Sequence, residues 1–264
     1  MTAPHPDGAT RSPGPTLLHL HGVTKDFGSL RAVDAVSLDV AAGSRHAVIG
    51  PNGAGKSTLL ALVAGALAAS AGQVEFDGRD VTRMAEWRRS RLGIARTFQH
   101  SALFLRETAV ENVLLAAQRQ AGAAWSMLRP ATSRRDLVAR CRELLDMVGL
   151  ARPKRPAGVL SHGERRQLDV AMALALRPRL LLLDEPAAGM SPAETARLCD
   201  VIEALPDTVT VLLVEHDLDV VFGLADTVSV LHLGRHLFTG TPAEVRASTA
   251  VQEAYLPPDL DHSH

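Results

Sequence analysis

The segment Gly50-Pro51-Asn52-Gly53-Ala54-Gly55-Lys56-Ser57-Thr58 decides the fold of this chain. It fits the phosphate-loop pattern of Gly, four residues, Gly, Lys and then Ser or Thr. Glycines let the backbone curl so that several N–H groups point at one anion, and a helix that begins near Ser57 adds the positive end of its dipole. Lys56 supplies a cation for the β- and γ-phosphates, and the Ser57 hydroxyl is a ligand for Mg²⁺. We predict that these nine residues bind the phosphates of a nucleotide.

The residues on either side of the loop support this prediction. Arg45–Ile49 has the pattern of a short buried strand, and Thr58–Ala64 has the pattern of a helix. A plain tight turn would explain the glycines but not the Lys-Ser-Thr ending. The apolar run 59–71 is too short to span a membrane, and we interpret it as a buried helix.

The composition indicates a globular protein and disfavours a nucleic-acid-binding one. The chain has 264 residues, of which 46% are apolar and 22% charged, and its net charge is -1. This balance is typical of a globular protein and argues against a dominant nucleic-acid surface. Cys141 and Cys199 lack metal-ligand spacing and fit a reducing compartment. We expect residues 1–15 to be disordered, residues 257–264 to form a flexible tail, and the protein to be cytoplasmic unless a partner tethers it to a membrane.

Strand and helix patterns alternate along most of the chain. This alternation predicts an α/β fold with a parallel sheet and right-handed crossovers. Leu180–Leu183 is apolar at every position, as in a parallel strand covered on both faces. Residues 86–160 differ, because helix follows helix there, and we interpret them as a helical subdomain inserted into the core. The other predicted strands are 17–23, 35–40, 74–76, 209–214 and 228–233, and the predicted helices beyond the loop are 110–121, 133–148 and 242–247.

Two other predicted strands end at the edge of the sheet that carries the loop, and each is followed by side chains that could act on a bound nucleotide. Asp184 and Glu185 follow the leucine run. Asp184 can hold Mg²⁺, and Glu185 can polarise water for attack on the γ-phosphate. His216 follows another apolar strand and can hydrogen-bond the γ-phosphate.

The segment Leu160-Ser161-His162-Gly163-Glu164 has two compatible interpretations. Ser161 and Glu164 have the spacing of a capping box at the start of a helix. A helix N-terminus with a free hydroxyl and a glycine is also a second phosphate-binding surface.

The order of these motifs resembles the ATP-binding subunit of ABC transporters. The order is phosphate loop, Gln99, the Ser161 segment, the strand ending in Asp184 and Glu185, and His216. The resemblance covers nearly the whole chain and implies an ATPase domain over 16–256. It implies a RecA-like P-loop NTPase core, an N-terminal antiparallel β subdomain and an inserted α-helical subdomain.

The resemblance also implies a mechanism and partners. Two such subunits sandwich two ATP molecules head to tail, so that the phosphate loop of one faces Ser161 and Gly163 of the other. Phe27 corresponds to the aromatic that stacks on adenine, and Gln99 to the glutamine that touches Mg²⁺. Implied partners are transmembrane permease subunits, a second ATPase subunit and, indirectly, a solute-binding protein, with the chain on the inner face of the cell membrane. The residues implied to bind ATP or Mg²⁺ are Phe27, Gly50, Pro51, Asn52, Gly53, Ala54, Gly55, Lys56, Ser57, Thr58, Gln99, Ser161, Gly163 and Asp184.

Two departures from the usual pattern point to one branch of this family. His162 and Glu164 stand where the signature commonly has glycine and glutamine, and an aspartate common near Ser191 is missing. Both features resemble those of the ATPases of branched-chain amino-acid and related hydrophobic amino-acid or amide uptake systems. A side chain at 162 must then point away from the nucleotide.

Other ATP- or GTP-binding classes remain alternatives. A soluble ABC ATPase, for example in iron–sulfur assembly, stays open from the sequence. A GTP switch is disfavoured, because neither asparagine, Asn52 or Asn112, lies in a guanine-reading motif. A small-molecule kinase would leave Ser161 and His216 unexplained.

Overall fold

The computed structural model describes residues 14–97, 103–121, 131–150 and 152–255, which form two sheets and their covering helices. The first sheet is antiparallel, with the order β2-β1-β4-β5. Its apolar side chains alternate with polar ones and bury one face of the sheet against α1, including Leu18, Val36 and Phe76. Its strands are β1 (Thr16–Phe27), β2 (Leu30–Ala41), β4 (Ala71–Phe76) and β5 (Arg79–Asp80).

The second sheet has six strands in the order β10-β9-β3-β8-β7-β6. All neighbouring pairs are parallel except β10 with β9. Because β3, β8 and β7 are adjacent and parallel, the phosphate loop and the two predicted acidic residues follow the carboxyl ends of strands at the same edge of the sheet. The strands are β3 (Arg45–Ile49), β6 (Ile94–Arg96), β7 (Leu180–Asp184), β8 (Thr210–Val214), β9 (Thr227–His232) and β10 (Arg235–Gly240).

Helices cover the six-stranded sheet and extend from it. Leu168 of α5 shares one apolar cluster with Val113 of α3 and Leu145 of α4, so these three helices pack together. Among the described residues, no helix is both long enough and apolar enough to cross a membrane. The helices are α1 (Lys56–Ala64), α2 (Glu86–Leu92), α3 (Ala109–Ala121), α4 (Ala131–Met147), α5 (His162–Ala175), α6 (Pro192–Glu203), α7 (Leu218–Leu224), α8 (Pro242–Ala247) and α9 (Thr249–Tyr255).

The apolar run 59–71 is not one helix. Helix α1 ends at Ala64, where Gly65 adopts φ 82° as its C-cap. The buried Arg89 guanidinium donates to the carbonyls of Leu62 at 2.7 Å and Val63 at 2.8 Å. A cation at a helix C-terminus satisfies carbonyls that lack partners within the helix, and so favours ending the helix there.

The predicted insert begins too early. Strand β6 lies inside 86–160, but it pairs with β7 and therefore belongs to the core sheet. With three residues, it is too short to show a strand pattern beside α2. The C-terminal region also contains more than the one helix predicted there, at 242–247, because β10 precedes α8 and α9 follows it. Residues 1–13 of the segment predicted to be disordered lie outside the described residues. The predicted flexible tail, 257–264, lies outside them too.

Candidate active site

The phosphate loop is held tightly by its neighbours. Gly55 has φ 95° and precedes α1, and a Cβ on it would collide with the Ala32 carbonyl oxygen. A Cβ on Gly50 would likewise collide with the carbonyl oxygen of Leu231. Only glycine fits these two positions, because other residues have both a Cβ and a strained backbone there. These two close approaches fix the path of the loop backbone, and a glycine-rich loop directly before a helix is suited to an anion.

The side chain of Lys56 folds back onto the loop. Its Nζ donates to the carbonyl of Gly50 at 2.7 Å and to that of Pro51 at 3.0 Å. Burial lowers the pKa of the ammonium, and the charges of Glu185 and Asp184 oppose that shift. A buried cation within a glycine-rich loop fits a phosphate, which would exchange for the two carbonyls.

The predicted Mg²⁺ ligands Ser57 and Asp184 are in contact. Ser57 Oγ donates to Asp184 Oδ1 at 3.0 Å. The Asp184 side chain is fully buried and also accepts from Arg96 Nη2 at 2.8 Å. A hydroxyl and a carboxylate oxygen side by side are ligands that a hard cation prefers, so these residues fit Mg²⁺. The third predicted ligand, Gln99, lies outside the described residues.

Glu185 and His216 follow adjacent strands, β7 and β8. The backbone N–H of Glu185 donates to the Val214 carbonyl at 2.8 Å, and Glu185 has φ 46°. A non-glycine residue in this left-handed region is uncommon and concentrates at functional sites. The ring of His216 is 60% exposed and therefore accessible to a ligand.

Glu215 is a site residue that the sequence interpretation missed. Its carboxylate is fully buried, and Oε1 accepts from the Ala187 N–H at 2.9 Å. Its Oε2 accepts from the His216 N–H at 3.0 Å. One carboxylate thus ties the loop after Glu185 to the backbone of His216. The only sequence signal was an acidic residue directly after an apolar strand.

The Ser161 segment forms the predicted capping box. Ser161 Oγ accepts from the Glu164 N–H at 3.1 Å, and Glu164 Oε2 accepts from the Ser161 N–H at 2.7 Å. Arg155 Nη1 donates to Glu164 Oε1 at 2.9 Å. Glu164 therefore has a structural reason to replace the usual glutamine, because it also forms an ion pair.

His162 lies against the loop that follows Glu185 in the same chain. A Cβ on Gly189 would be 3.3 Å from His162 Nε2. A Cβ on Gly163 would collide with the Glu194 carboxylate, which caps α6 through Ser191. The N-terminus of α5 is thus packed closely against the segment that joins β7 to α6.

Phe27 is the last residue of β1 and 46% exposed, so it is not an ordinary core residue. The Lys25 Nζ lies 5.0 Å from the centroid of its ring. An exposed aromatic face next to a cation is a suitable stacking surface for a base.

Comparisons with known proteins identify the family of the chain. A family model described as "ABC transporter" matches residues 33–188, and one described as "Branched-chain amino acid ATP-binding cassette transporter" matches 235–256. The chain is 38% identical to the "High-affinity branched-chain amino acid transport ATP-binding protein BraF" of Pseudomonas aeruginosa, over 91% of this chain and 97% of that protein.

Solved structures share the fold. The ADP conformation of MJ1267, an ATP-binding cassette of an ABC transporter, superposes with a TM-score of 0.79 at 29% identity, over 92% of this chain and 99% of that one. The dimeric structure of MJ0796, a bacterial ABC transporter cassette, gives a TM-score of 0.76 at 25% identity, over 86% and 99% of the two chains. The chain is therefore a nucleotide-binding ATPase of the ABC transporter family, and belongs within it to the branched-chain amino-acid group.

Proposed function

We propose that this chain hydrolyses ATP to power an importer of branched-chain or related hydrophobic amino acids. The observation that carries the proposal is the 3.0 Å hydrogen bond from Ser57 to Asp184, which joins the phosphate loop to the acidic end of β7. The likeness to BraF over 91% of the chain supports the class of solute. A soluble ABC ATPase without a transporter has no comparable support among these observations.

Each residue of the site has one role in hydrolysis. Lys56 and the loop N–H groups bind the β- and γ-phosphates, and Phe27 stacks on adenine. Ser57, Asp184 and Gln99 hold Mg²⁺, which when bound neutralises charge on the phosphates. Glu185 accepts a proton from the attacking water.

His216 and Glu215 complete the catalytic edge. His216 donates a hydrogen bond to the γ-phosphate and orients the water. Its backbone is fixed by the buried Glu215 carboxylate, so its ring starts from a defined position. The same carboxylate holds Ala187, two residues after Glu185, which keeps base and histidine in one arrangement.

A second ATPase subunit completes each site. Ser161 is exposed at the N-terminus of α5, where backbone N–H groups and the helix dipole favour an anion. We infer that Ser161 and Gly163 of one subunit close over the phosphates bound by the other. The related cassette MJ0796 has a dimeric structure, which supports pairing of two such subunits.

Membrane permease subunits bind at a groove between the core and the helices. A cavity of about 410 Å³ lies between α2, α3 and α5. Exposed apolar side chains border it, with Trp87 47%, Phe104 56% and Leu115 41% exposed. Exposed apolar residues that border one cavity form the kind of patch that marks a protein contact. Binding of the permease there would place the chain on the inner face of the membrane.

Reconstitution tests the proposal. The chain is purified with its membrane subunits in lipid vesicles, and ATPase activity is measured with binding proteins loaded with different solutes. We expect stimulation by branched-chain amino acids and loss of stimulation in Phe104→Asp, with the basal activity of the purified chain retained. Hydrolysis that no membrane subunit changes would contradict the coupling to transport.

A further inference from the structure

Arg96 forms an ion pair with Asp184, the carboxylate to which we assign Mg²⁺. Its Nη2 donates to Asp184 Oδ2 at 2.8 Å, and the two side chains are only 15% and 0% exposed. Shielding from water strengthens such a charge interaction. Arg96 is the last residue of β6, so its backbone lies beside β7 and its side chain reaches the end of that strand.

The guanidinium of Arg96 is not fully hydrogen-bonded within the described residues. Arg96 Nε is buried and has no hydrogen-bond partner among the described residues. Burying a donor without an acceptor costs free energy. Within the described residues the side chain is held by its ion pair with Asp184, which a competing cation would have to displace.

Arg96 also borders the groove between the core and the helices, together with Glu86 and Asp169. A guanidinium released from Asp184 would remain beside a groove that these two acidic residues also line. The ion pair thus lies between the nucleotide site and the surface proposed to bind the permease.

We propose that Arg96 is a positioning residue that holds Asp184 in the nucleotide-free chain and is displaced when Mg²⁺ binds. The inference rests on the Mg²⁺ site of the proposed function. A divalent cation and a guanidinium repel each other and compete for one carboxylate, so each weakens the binding of the other. A permease segment in the groove would contact the residue that controls the metal ligand.

Mg²⁺ dependence of ADP binding tests the exchange. Calorimetry of the full chain at increasing Mg²⁺ compares the wild type with Arg96→Met, Arg96→Lys and Arg142→Met, the last a control at an exposed position of α4. In Arg96→Met we expect half-saturation at Mg²⁺ concentrations at least about threefold lower, and ADP affinity in EDTA unchanged within about twofold. Arg96→Lys should lie between, and the control should match the wild type.

The outcomes separate this inference from the assignment on which it rests. An unchanged or higher Mg²⁺ requirement in Arg96→Met overturns the exchange. Wild-type binding that does not respond to Mg²⁺ overturns the metal site itself.

A measurement on the wild type guards against misfolding of Arg96→Met, which leaves a buried carboxylate without its counter-ion. The guanidinium NMR signal of Arg96 is identified by its loss in Arg96→Lys. It should shift with ADP and Mg²⁺, but not with ADP and EDTA. A signal that Mg²⁺ leaves in place also overturns the exchange.

Discussion

Ser161 should serve both the fold and catalysis, and the two roles can be separated. Ser161→Ala removes the oxygen that accepts from the Glu164 N–H at 3.1 Å. Loss of such a cap costs about 1 kcal/mol, which lowers the Tm of a chain of this size by about 2–4 °C. Ser161→Asp keeps the cap, because Asp is as good an N-cap as Ser. In the proposed dimer, however, its carboxylate would face the γ-phosphate of the partner's ATP and repel it.

The expected catalytic loss exceeds the loss of stability. A hydrogen bond to a charged group contributes about 1.5–3 kcal/mol, which corresponds to roughly 10- to 150-fold in turnover. Both variants should lose this much ATPase activity, although only Ser161→Ala should melt lower. Thr241→Ala removes the same kind of capping box at α8 and should lower Tm without reducing turnover.

The assay is steady-state ATPase activity alongside thermal melting. Mixed dimers with one Ser161→Asp subunit and one Lys56→Ala subunit show whether the effect acts across the dimer. If it does, both changes fall in the same site and the other site stays intact. If Ser161 acts within its own subunit, both sites are damaged. Normal turnover in Ser161→Asp at wild-type Tm would refute the phosphate contact. The residue would then be a helix cap and nothing more.

Three further changes test other parts of the structure. Glu185→Gln should bind ATP and accumulate a closed dimer in size-exclusion chromatography, and turnover near the wild-type rate would contradict its role as base. Gly189→Ala should reduce turnover, because φ 73° is strained for alanine and its Cβ would press on His162; adding His162→Ala should restore part of the activity. Burial, with a smaller contribution from the charge of His236, lowers the pKa of His46 from 6.5 to about 4. The unfolded chain therefore takes up that proton first, so stability is complete above pH 6.5 and about 3 kcal/mol is lost as the pH falls to 4. Urea titrations of His46→Gln should show a pH dependence smaller by that amount.

Local patterns predicted most of the elements. The strand Arg45–Ile49 is confirmed to the residue, and Val110–Ala121 differs from α3 by one residue at its start. The errors arose where tertiary contacts override a local pattern. Arg89 and Gly65 end α1 within an apolar run, and β6 is a strand because β7 pairs with it.

The sequence by itself determined the phosphate loop and the capping box at Ser161. Their interactions join residues a few positions apart, so residue type and spacing are sufficient to specify them. Only the tertiary structure decided that Arg96 joins Ser57 at Asp184. Ser57 and Arg96 lie 127 and 88 residues away from it, and they converge because the sheet places β6 beside β7 and packs α1 over the strand ends. Sheet order depends on the packing of the whole core, which no local pattern contains.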